Sequence, residues 1–152
     1  MKEEERAPAP PEPRTEPPGT PVRTAAAARA RARALVDARW NRVGRPAREE
    51  DVIDLLLVVS ELVTNALRHG GGLAGFEMTP VRDGIRLAVR DHRDEAPAPV
   101  GGPAHLPAGH RVGGYGWPLI VRLARQIVID RLPTGGKTIS VFLPVRTAGG
   151  PA

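Results

Sequence analysis

Three polar residues stand out inside an apolar stretch. In "SELVTNALRHGG", residues 60–71, Glu61, Asn65 and His69 fall four residues apart. On a helix this spacing puts all three on one face. The flanking sequence, "DVIDLLLVV", is apolar nearly all round, so the polar row is expected to face a cavity rather than open water. A carboxylate there needs a partner. An asparagine oxygen suits a hard cation, and a glutamate can orient and deprotonate a hydroxyl or a water.

Three further groups could take part. Asp91 ends "GIRLAVRD" and continues the parity of Ile85, Leu87 and Val89, so it points to the apolar side of its strand. A carboxylate at a pocket floor can accept a hydrogen bond from a ligand amino group, although a turn aspartate at a strand end is also common. "GHRVGGYGWP", residues 109–118, leads a glycine run straight into a helix. Glycines let backbone approach a ligand, and a helix N-terminus attracts phosphate through its unpaired N–H groups. "GGKT", residues 135–138, reads on its own as a tight hairpin.

The elements that would position these groups follow from pattern. Residues 1–21 hold seven prolines and no apolar residue larger than methionine, which predicts a disordered tail. Thr24 is the expected N-cap of a first helix whose apolar positions are Ala28, Ala32, Leu35, Val36, Trp40 and Val43, with Gly44 as its stop. A second, largely buried helix is expected from Glu49 to His69. "AGFEMTPV" and "GIRLAVRD" alternate as strands around an Arg-Asp-Gly turn. Residues 92–114 carry no apolar period and read as a long loop, of the kind that is usually functional. "GWPLIVRLAR" gives a third helix with Pro118 in its first turn, and "QIVIDRL" and "KTISVFLPV" give a second hairpin. Helices on one face of a mostly antiparallel sheet fit this order better than a doubly wound fold.

Composition narrows the function classes. The chain has 152 residues, enough for one domain with a core. It has no cysteine, which excludes a thiol nucleophile or a thiolate metal site. No secretory h-region or bilayer-length apolar run is present, so a cytoplasmic protein is expected. The formal charge is +5, and residues 22–152 keep 19 of the 22 basic side chains against 12 of the 17 acidic ones. Such a domain could meet nucleotide phosphates, an acidic protein surface or nucleic acid. The last ranks lowest, because no aromatic stacking platform accompanies the arginines.

Taken together, in this order and spacing, the four motifs resemble those of the GHKL (histidine-kinase-like) ATPase superfamily. Within it the chain is similar to the small anti-sigma-factor serine/threonine-protein kinases of Streptomyces-type actinobacteria. The resemblance covers about Thr24 to Pro144. It implies a two-layer α/β sandwich of the Bergerat ATP-binding type, with a mixed, mostly antiparallel sheet and three helices on one face. The domain would span residues 22–146, followed by a short flexible C-terminus at 147–152.

For the site, the resemblance implies ATP and Mg2+ as cofactors. "SELVTNALRHG" would supply Glu61 as general base, Asn65 as magnesium ligand and His69 as a polar contact near the phosphates. Asp91 would bind the adenine amino group, Gly113, Gly114 and Gly116 would close a lid over the phosphates, and Thr138 would support the adenine near Asp91. Three places depart from the family pattern: the strand that commonly precedes the first helix, and helps dimer contacts in some members, is not evident in "GTPVR", and two motifs differ. His92-Arg93-Asp94 stands where glycines are usual, and Trp117-Pro118 where a leucine-led helix start is usual. The implied function is an anti-sigma factor with serine-protein kinase activity towards a small antagonist protein. A catalytically weak ATP-dependent protein-binding module is the alternative. The implied partners are a sigma factor and the antagonist, with a homodimer left open and neither membrane nor direct nucleic-acid contact expected. No phosphoacceptor-histidine hairpin is evident ahead of the domain, so a sensor histidine kinase is not expected.

Overall fold

A computed structural model describes residues 20–95 and 116–149. The Pro-rich tail through residue 19, most of the long loop, and Gly113 and Gly114 lie outside the described residues. The described residues form three α-helices, α1 (Ala25–Arg39), α2 (Glu49–His69) and α3 (Gly116–Leu123). The strands are β1 (Leu73–Val81), β2 (Gly84–Asp91), β3 (Arg125–Arg131) and β4 (Lys137–Pro144). They form one sheet in the order β1-β2-β4-β3. Every pairing in it is antiparallel, so the mixed sheet anticipated above narrows to an antiparallel one among the described residues.

Helix α1 starts where its sequence predicts. The Thr24 hydroxyl accepts the Ala27 N–H at 3.1 Å, removing one of the unpaired donors of the first turn. Its end comes earlier than Gly44. Trp40 caps the helix, and Asn41–Val43 continue as a 3-10 turn that Gly44 closes at φ 74°. That turn swings Val43 away from the core, where it is 60% exposed, contrary to its place in the helical pattern.

Helix α2 occupies the span the sequence predicted and packs against both α1 and α3. Leu55, Val58, Leu62 and Ala66 lie on its sheet-facing side and are buried. Beneath them, β2 and β4 present alternate residues in register: Ile85 opposite Leu143, Leu87 opposite Val141, Val89 opposite Ile139. On β1 a register shift between Leu73 and Gly75 changes the parity, so Phe76 and Met78 pack on the core while Ala74 is exposed. No described helix is long and apolar enough to cross a membrane.

The start of α2 is clamped to the segment that follows β4. Asp51, 3% exposed, accepts three bonds from Arg146: from the backbone N–H at 2.7 Å, Nε at 3.0 Å and Nη2 at 2.7 Å. Burial alone would raise the Asp51 carboxyl. The Arg146 hydrogen bonds and charge, with the charge of Arg48, outweigh it and hold the carboxyl below its ordinary value. Nearby, Thr147 makes an antiparallel bridge to Ala47, and Ala148 N–H donates to the Pro46 carbonyl at 2.7 Å.

Candidate nucleotide site

The polar row of α2 lies along one edge of its buried face. Glu61 and Asn65 are half-buried, and His69, in the last turn, is exposed. What Glu61 and Asn65 face is the first residue of α3. A methyl group added to Gly116 would collide with Glu61 Oε2 and lie 3.5 Å from Asn65 Oδ1. Gly116 is itself buried. Only the absence of a side chain lets the start of α3 come this close to the two oxygens. A carboxylate, a carboxamide and the start of a helix therefore meet at one point.

Asp91 sits at the other end of the row. Its Oδ2 is so near the α2 terminus that a methyl group on Gly70 would approach it to 2.5 Å. The His92 N–H donates to the Gly70 carbonyl at 2.8 Å, tying the end of β2 to the end of α2. Asp91 is buried at 6% exposure and faces the helices, as its parity predicts. From Glu61 to Gly70 the helix rises about 14 Å, a distance suited to an extended nucleotide with its base at Asp91 and its phosphates at Glu61 and Asn65.

Thr138 is placed differently from the adenine support implied for it. On β4 it pairs with Arg90 of β2 and Asp130 of β3, on the parity opposite to the buried Lys137 and Ile139. Its side chain therefore belongs to the sheet face away from the helices. The residue on the Asp91 side is Lys137, directly across the strand pair from it. Lys137 Nζ lies 2.7 Å from Asp91 Oδ2, with the two side chains 5% and 7% exposed. Motif reading passed over Lys137, yet the signal was there. It shares the parity of Ile139, Val141 and Leu143, and a lysine facing a core requires a counter-charge.

The departure at 92–94 also has a structural account. Asp94 Oδ1 accepts the Gly136 N–H at 2.7 Å, and the Arg93 carbonyl accepts from Lys137 Nζ at 3.1 Å. These residues fasten the end of β2 to the β3–β4 turn.

A family model of the histidine kinase-like ATPase domain matches residues 21–142. The chain belongs to that family. No curated protein matches it. Membership supports ATP binding, and the ATPase domain covers every described element apart from the last residues of β4 and the segment after it. Among the described residues no group of three His, Cys, Asp or Glu could hold a metal alone. Magnesium does not need one, since it commonly takes one or two protein oxygens and completes its shell with phosphate and water. The convergence of Asn65 Oδ1 and Glu61 Oε2 at the start of α3 fits such a site.

Proposed function

We propose that this protein is an ATP-dependent regulatory serine-protein kinase. It holds a sigma factor as one partner and phosphorylates a small antagonist protein as the other. One observation carries the catalytic part: within the C-terminal half of α2, Glu61 and Asn65 meet the start of α3, while Asp91 lies buried beside the end of the helix. The choice of partners rests on the resemblance described above.

In this reading Asp91 positions the base, and the N–H groups at the start of α3 take the phosphates. Asn65 would hold magnesium, which supplies charge neutralisation on the transferring group. Glu61 removes the proton from a serine hydroxyl of the antagonist. The serine oxygen then bonds to the γ-phosphorus, the bond to the bridging oxygen breaks, and ADP departs with that electron pair. Positioning and charge stabilisation do most of the work in such a transfer.

The test is a phosphate-transfer assay with the partner that co-purifies. Glu61→Gln keeps size and shape but removes the base. Transfer is expected to fall by about 10²–10⁴-fold while ATP affinity stays within a few fold. Asn65→Ala is expected to lose magnesium-dependent binding as well. Wild type that transfers no phosphate, while ATP still alters partner affinity, would replace the kinase reading with the binding-module one.

A further inference from the structure

Asp91 does not present a free carboxylate. Lys137 Nζ donates to Oδ2 at 2.7 Å, and the Arg93 N–H donates to Oδ1 at 3.1 Å. Lys137 gives a second N–H to the Arg93 carbonyl at 3.1 Å. An ammonium has three donors and a carboxylate about four lone-pair positions. Among the described residues, one donor of Lys137 and about two acceptor positions of Asp91 are thus left over. Donor and acceptor stand side by side at the end of β2 and β4, 5% and 7% exposed. Thr138 faces away and supplies neither.

This pairing changes what the pocket can read. A lone carboxylate accepts an amino group and repels a carbonyl oxygen, which is how such a site rejects the wrong base. With an ammonium beside it, either group has a place. Resting on the nucleotide reading above, we propose that Lys137 is a specificity-determining residue that opens the base site to 6-oxo purines as well as adenine. The Lys137 ammonium donates to the carbonyl oxygen on purine carbon 6, while Asp91 accepts the adjoining ring N1–H. Adenine needs only the carboxylate, to which its amino group donates, and makes no demand on the Lys137 donor. The ligand class is purine nucleoside triphosphates.

The experiment titrates the magnesium complexes of ATP, GTP and ITP into the full chain, as wild type and as Lys137→Met. ITP isolates the carbonyl and N1–H, because it lacks the second amino group of GTP. Methionine keeps the length of the lysine stem without its donor, and a melting curve checks that the variant is folded. Lys137→Gln, with a neutral donor, takes its place if it is not. Wild type is expected to bind all three nucleotides within about tenfold of one another. Loss of the charged hydrogen bond should weaken GTP and ITP by about 10–100-fold, with ATP affected far less. Wild type that binds ATP more than about 100-fold tighter than both 6-oxo nucleotides overturns the proposal and leaves the nucleotide reading standing. An unchanged ratio in the lysine variant removes Lys137 from base recognition. Failure of wild type to bind any of the three removes the nucleotide reading itself.

Discussion

Two ion pairs of equal length lie near the two ends of α2, one tying the helix to the segment after β4 and the other joining β2 to β4. Asp51 meets Arg146 at 2.7 Å and Asp91 meets Lys137 at 2.7 Å. Both cations come from β4 or the residues just past it. The geometry agrees: Asp51 to Gly70 is about 28 Å along a helix, and Lys137 to Arg146 is about 30 Å along extended chain. The surroundings differ. Arg146 is 55% exposed and gives three donors to Asp51, two from its guanidinium and one from its backbone. Lys137 and Asp91 are both buried, and one ammonium donor is left without an acceptor among the described residues. A pair that meets its own needs from one residue is a clamp. A buried pair with hydrogen-bonding capacity to spare, beside a glycine-lined helix end, is where the proposed nucleotide would be read.

The largest effect that would sharpen this contrast is on stability. Asp91→Ala leaves a buried ammonium without its counter-charge, a loss of about 3–5 kcal/mol. Asp51→Ala frees an arginine that can turn to solvent, and should cost less, about 1.5–3 kcal/mol. Denaturant unfolding of the two variants should show this order, and equal losses would erase the distinction. Acid should act on the clamp in a defined direction. The Asp51 carboxyl is held low in the folded chain, so its contribution is complete above the ordinary carboxylate value near 4. It is lost as pH falls through the lower, folded value. The stability gap between wild type and Asp51→Asn is therefore expected to be flat near neutrality and to close in acid. A gap that persists unchanged at pH 2 would break the account of the clamp. The smallest effect belongs to His69→Ala. This side chain is exposed, so stability should change by less than about 0.5 kcal/mol, whatever it does for nucleotide.

Much of the fold was legible because its signals are local. The α2 span, the Thr24 cap and the strand parities each follow from neighbours within one element. Gly44 and Val43 misled because a 3-10 turn after Trp40 breaks the helical period without a marker in the sequence. The parity slip at Gly75 was hidden for the same reason: a register shift is decided by the partner strand. At the candidate site, Glu61, Asn65 and Asp91 could be singled out from spacing and parity. The nearness of Gly116 to Glu61 and of Gly70 to Asp91 could not, since each joins elements far apart in sequence. Thr138 and Lys137 are adjacent, and a one-residue difference on a strand exchanges the two faces of the sheet. Motif position favoured the threonine, while alternation placed the lysine beside Asp91.

The most direct measurement is a calorimetric titration of ATP with magnesium into wild type, Asp91→Asn and Asp51→Asn, each checked by melting at the working temperature. An amide at 91 can turn its donor toward the base amino group and leave it poorly matched, so Asp91→Asn should weaken binding by about 100-fold or more. Asp51→Asn, at the clamp, should bind as wild type does. Equal affinity in wild type and folded Asp91→Asn, or an equal loss in both variants, would contradict the assignment of the nucleotide site to the Asp91 end of α2.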